Sequence, residues 1–140
     1  MLEEMVSRGK RIFLSGGALG FDTVAAREVI RLRERYPFVR LILAIPCDSQ
    51  SSRWSSADQR IYRDLLSAAD SVRMISHEYF PGCMQKRNRF LVDHADTCLC
   101  YMIHCRGGTW NTVSYAYDQH RTILNLAGSF SGGETMGRAR

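Results

Sequence analysis

Lysine is almost missing from this chain: only Lys10 and Lys86 occur, so nearly all of the positive charge is guanidinium. Lys plus Arg number 19 against 14 Asp plus Glu, a formal net charge of +5. Arginine grips phosphate or carboxylate bidentately where lysine offers a point charge. The arginines are dispersed and form no dense basic run, so a dedicated DNA-binding arm is not indicated; weak nucleic-acid affinity is the most the charge allows. Long apolar runs are also absent, and none approaches the roughly 20 residues that cross a bilayer. Residues 1–11 carry Glu3 and Glu4 and no extended apolar stretch, which does not read as a secretory signal. A cytoplasmic protein without a membrane partner is expected.

Metal-ligand spacing is missing as well. The five cysteines, Cys47, Cys83, Cys98, Cys100 and Cys105, contain no C-x-x-C, and reduced thiols are the expectation for a chain without an export signal. Strand alternation puts Cys98 and Cys100 on one face, as buried apolar thiols rather than metal ligands. His77, His94, His104 and His120 have no ligand spacing either, so no metal site is expected. There is no internal repeat.

What remains is an ordinary globular composition, 45% hydrophobic and 24% charged over 140 residues, which suits one domain and excludes extensive disorder. Lys10–Ser15 (KRIFLS) reads as a strand, and Phe21–Tyr36 as a helix closed by Pro37. Val39–Ile45 (VRLILAI) is nearly continuous in apolar character, as a parallel strand covered on both faces should be. Ser55–Ala69 is a helix, Ser71–Ser76 a strand, Met84–Ala95 a helix and Thr97–Ile103 a strand. A helix then opens at Gly107-Gly108 and runs to about His120, followed by a strand at Arg121–Leu126. This alternation predicts an α/β fold, a Rossmann-like three-layer α/β/α sandwich on a mostly parallel sheet of about five strands. The domain is read as 1–126, with 127–140 a flexible glycine-rich tail carrying four of the eleven glycines.

Open parallel sheets bind ligands beyond the carboxyl ends of their strands. Two glycine-rich turns lie there: Ser15-Gly16-Gly17-Ala18-Leu19-Gly20-Phe21-Asp22 after the first strand, and Cys105-Arg106-Gly107-Gly108-Thr109 after the fourth. Each feeds a helix N-terminus, where unpaired N–H groups and the dipole favour an anion and a missing Cβ admits a phosphate. Neither turn is a P-loop, and the G-x-G-x-x-G fingerprint is not met. Together they are expected to hold one phosphate group. Asp22 either caps its helix or accepts from a ribose hydroxyl. In Met84-Gln85-Lys86-Arg87-Asn88-Arg89, cations oppose the helix dipole, which suits an arriving anion. Lys86 and Arg89 fit a solvated face, and Arg87 and Asn88 fit ligand contact. Trp54 either stacks on a base or anchors its loop.

SGGALGFD at 15–22, AIPC at 44–47, Gln50 with Trp54, CMQKRNR at 83–89 and GGT at 107–109 resemble, in that order, the YpsA-like branch of the SLOG superfamily, a bacterial domain of unknown function. The resemblance covers about Lys10–Leu126. It implies a Rossmann-like fold shared with DNA-processing protein A and the LONELY GUY phosphoribohydrolases, and a nucleotide or ADP-ribose-like ligand, with some members acting as sensors. By position, Gly16, Gly17, Gly20 and Asp22 would line the pocket, beside Ser15. Arg87 and Asn88 match the family's arginine–asparagine pair, and Gly107, Gly108 and Thr109 its second glycine loop. LONELY GUY enzymes carry a glutamate where Thr112 stands, and a hydroxyl cannot stabilise an oxocarbenium-like centre as a carboxylate does. Arg87 and Asp22 are then the only weak catalytic candidates. Members also begin with an extra strand and a helix; residues 1–9 look like the end of that helix, so the first strand is expected to be lacking, and either the chain is abbreviated or the sheet closes differently, with a second subunit of a homo-oligomer as one way to close it.

The resemblance thus implies a nucleotide-binding module or sensor first, a nucleotide N-glycosidase or phosphoribohydrolase second, and a single-stranded nucleic-acid binder third.

Overall fold

The computed structural model describes residues 1–128. Residues 129–140, most of the glycine-rich tail, lie outside the described residues. The elements alternate as the periodicity requires: α1 Leu2–Ser7, β1 Ile12–Ser15, α2 Phe21–Arg35, β2 Arg40–Ile45, α3 Ser56–Ala68, β3 Ser71–Met74, α4 Cys83–Asp93, β4 Thr97–Cys100, α5 Gly107–Asp118 and β5 Thr122–Asn125. Among the described residues every strand pairing is parallel. The protein is α/β, with helices as the crossovers. The strands form two sheets, β1-β2-β3 and β4-β5, in place of one sheet of five. The chain correspondingly divides into two compact units, Met1–Cys83 and Met84 onward.

In the first unit β2 is the middle strand, and Leu41, Leu43, Ala44 and Ile45 are buried, which accounts for its unbroken apolar run. Ala26, Val29 and Leu32 of α2, with Tyr62 and Leu65 of α3, pack against it, and Val6 brings α1 into the same core. Ser55 caps α3, its hydroxyl accepting from the Asp58 amide. Glu3 ties α1 to the end of α2, accepting from the Tyr36 hydroxyl at 2.8 Å and pairing with Arg35 at 2.9 Å.

Asp70, in the turn between α3 and β3, accepts the Leu41 amide at 2.8 Å and pairs with Arg33 at 2.7 Å. Burial raises its pKa, but the Leu41 amide, Arg33 and Arg40 together outweigh that and leave it below the ordinary aspartate value. A carboxylate with a lowered folded pKa stabilises above its unfolded pKa, near 3.9, and loses that contribution as pH falls through the folded value. Asp70→Asn is therefore expected to lower the melting temperature near neutrality while leaving it less sensitive to acid below about pH 4. Parallel melting curves for the two proteins from pH 7 to 3 would contradict this.

The second unit has its core in Val92, Cys100, Met102, Val113, Ala116 and Ile123. The strand expected to reach Ile103 ends at Cys100, because a side chain takes over from backbone pairing. Asn125 Oδ1 accepts from the Met102 amide at 3.0 Å, and its Nδ2 donates to the Met102 carbonyl at 2.9 Å. Asn125 Oδ1 also accepts from the Ala127 amide. Cys98 and Cys100 share a face of β4. A hydrogen bond from Cys98 lowers the Cys100 thiol pKa, against burial, which raises it. Neither is in a disulfide.

Candidate functional site

Both glycine turns follow the carboxyl end of a parallel strand, one in each unit. In the first, Ser15 is buried and its hydroxyl works inside the loop: it accepts from the Gly17 amide at 3.2 Å and donates to the Asp22 carbonyl at 3.3 Å. Gly17 has φ +66°, and an added Cβ would stand 3.4 Å from the Tyr62 ring. Gly20 has φ +88° with open space around it. Positive φ thus explains these two glycines by backbone demand alone. Gly20 occupies the N-cap of α2 and brings no side chain to the first-turn amides. Asp22 is the second residue of α2, not its N-cap, and half-buried, where its charge suits the dipole. The Thr23 hydroxyl closes the turn on the Ala18 carbonyl at 2.8 Å.

The neighbouring loop after β2 supplies the floor. Gln50 is buried, and its Nε2 donates to the Gly16 carbonyl at 3.3 Å and to the Tyr62 hydroxyl at 3.2 Å. Trp54 packs edge-on against Tyr62, ring centroids 5.1 Å apart, so the indole anchors its loop to the core. Asp48 and His77 meet at 3.4 Å on the exposed tips of the loops after β2 and β3.

In the second unit, α5 starts on Gly107 with φ +84°, and its N-cap, Arg106, provides no side-chain hydrogen bond. Beside Gly108 an added Cβ would meet nothing within 4 Å. Thr109 completes the first turn, while the Thr112 hydroxyl is turned back onto the Gly108 carbonyl at 3.1 Å. The Tyr115 hydroxyl donates to Asp93 at 2.7 Å, which raises its pKa, and Arg89 lies over the same ring at 4.8 Å. These contacts join the C-terminal halves of α4 and α5. Arg87 is only 3% exposed, its Nε donating to Asn88 Oδ1 at 2.8 Å, whereas Lys86 and Arg89 are exposed as a solvated face requires.

The candidate residues are divided between the units: Ser15 to Asp22 lie in one turn of the first, and Arg87 and Asn88 on α4 and Gly107 to Thr109 at the start of α5 in the second. Gln50 was visible beforehand only through the family motif, and the part played by Asn125 was not visible at all. Among the described residues no group of three or more His, Cys, Asp or Glu could hold a metal ion. No helix among them is long and apolar enough to cross a membrane.

The sequence profile of the YspA SLOG family matches residues 1–122. The chain belongs to the YspA SLOG family. Its family relatives include the uncharacterized SPbeta prophage-derived protein YoqJ of Bacillus subtilis, 30% identical over 129 residues, covering 83% of this chain and 75% of YoqJ. A UPF0398 protein of Halalkalibacterium halodurans is 35% identical over 97 residues, 68% of this chain and 51% of its own length. One from Bacillus pumilus is 29% identical over 100 residues, 70% and 54%. This YspA SLOG chain thus spans about half the length of the UPF0398 relatives it matches.

Proposed function

We propose that this chain is a cytoplasmic bacterial binding module, a sensor for a nucleotide or nucleotide-derived ligand, in which each glycine turn, within its own unit, is suited to receive a phosphate. One observation carries the reading. Each turn lies between a parallel strand and a long helix whose N-cap brings no side-chain hydrogen bond to the first-turn amides. Such amides, with the dipole behind them, favour an anion. Gly108 adds weight, since neither its backbone nor its neighbours require glycine. In the first unit Asp22 is the group suited to a ribose hydroxyl; in the second, Arg87 and Thr109 are each suited by type to phosphate oxygens. Binding without turnover is favoured over glycosidic hydrolysis because Thr112, at the hydrolase glutamate's position, spends its proton on the Gly108 carbonyl.

The test is a thermal-shift screen with ADP-ribose, NAD, AMP and cyclic nucleotides. A ligand at about 100 times its Kd stabilises by roughly 2.7 kcal/mol, on the order of 10 °C for a protein of this size. A shift with at least one of them is expected, and no shift with any would refute the proposal.

A further inference from the structure

The turn after β1 does not hold its shape by its own bonds alone. Its Gly16 carbonyl points to a buried amide from a different loop, Gln50, which is 8% exposed. A carbonyl can only accept, so the side-chain atom facing it must be the amide nitrogen. The same nitrogen donates to the Tyr62 hydroxyl, and the Tyr62 ring lies under Gly17 and against Trp54. Gly16, Gln50, Tyr62 and Trp54 thus form one chain of contacts from the first glycine turn to the loop after β2.

A tight strand-to-helix turn needs none of this, because Ser15 and Thr23 already close it locally. Burying an amide is costly unless its hydrogen bonds are made, and once made they fix orientation strongly. We infer that Gln50 is a positioning residue for the ligand: by holding the Gly16 carbonyl inward it fixes the peptide planes of residues 16–20 in the geometry that receives the anion. Gln50 acts through the Gly16 backbone and does not touch the ligand. The inference rests on the phosphate reading of this turn. Its structural half, that Gln50 fixes the turn, stands or falls separately.

Gln50→Met keeps the length of the side chain and removes the donor. Backbone 15N order parameters for residues 16–20 in the unliganded protein should fall from the rigid range toward about 0.6, while those of β2 and α3 stay as they were. Affinity for ADP-ribose should drop about tenfold, the worth of one lost hydrogen bond of ordinary strength. Gln50→Glu should be worse than Gln50→Met, because a carboxylate faces a carbonyl with no proton to give. Tyr62→Phe, which leaves the Gln50–Gly16 bond in place, should change the turn least.

Unchanged order parameters at 16–20 in Gln50→Met would overturn the inference, whatever the ligand does. So would a loss of order throughout β1, β2 and α3 in both Gln50→Met and Tyr62→Phe, which would make Gln50 a core residue only. A turn that loosens in a protein whose parent binds none of the nucleotides would uphold the fixing role and refute the phosphate reading. A turn that loosens with no change in ADP-ribose affinity would overturn the link to binding.

Discussion

Gly108→Ala is expected to fold as well as the parent and to lose at least about tenfold in affinity for the nucleotide. The two halves of that result come from different physics. Gly108 is the second residue of α5, and an alanine Cβ there meets no atom within 4 Å. Alanine is the better helix former, so stability should hold or rise by up to about 1 kcal/mol. A phosphate lying on the first-turn amides, however, would meet the new methyl group directly, and the backbone approach that glycine permits would be blocked. Gly107→Ala cannot make the same distinction, because its φ of +84° strains any side chain. Melting temperature and ADP-ribose titration on Gly108→Ala together check the prediction. Equal affinity with equal stability would mean that this turn holds no anion.

Asn125→Leu is expected to produce the largest loss of stability. It removes two hydrogen bonds to Met102 and one from the Ala127 amide, and it leaves the Met102 backbone facing an alkyl group. Met102 is 4% exposed and belongs to the core of the second unit. At about 1 kcal/mol for each bond, the cost is about 3 kcal/mol, worth more than about 10 °C in melting temperature. Asn125→Asp should fall between the two, since a carboxylate still accepts from the Met102 and Ala127 amides but opposes the Met102 carbonyl. A melting temperature within about 2 °C of the parent would show that the Asn125 amide does not secure the end of β4.

Much of this architecture was legible in the residues. VRLILAI read as a covered strand and is one, Pro37 stops α2 where expected, and both double glycines fall between a strand and the helix that follows it. Strand pairing was less legible. Periodicity says that a segment is extended but not which neighbour it bonds, so the division into sheets of three and two strands had no signal. The end of β4 was misplaced by three residues because the side chain of Asn125 replaces backbone pairing. In RTILNL that asparagine looks like a strand simply running out.

The candidate site shows the same contrast. Gly17 and Gly20 turn out to be needed by the backbone, which glycine-rich sequence alone cannot separate from a need for ligand approach. In Lys86-Arg87-Asn88-Arg89, the exposure of the first and last residues followed from helical spacing. The near-complete burial of Arg87 depends on packing that no spacing rule captures. Gln50 lies 34 positions from the carbonyl it holds, a separation at which only folding can reveal the pair.

A 15N–1H correlation spectrum of the isotope-labelled protein, recorded while ADP-ribose is titrated in, tests binding at the glycine turns most directly. Saturable shifts are expected at the amides of Gly16–Asp22 and of Gly107–Thr109, with the rest of the spectrum largely unmoved. A saturating ligand that shifts neither turn, or moves only exposed residues elsewhere, would contradict it.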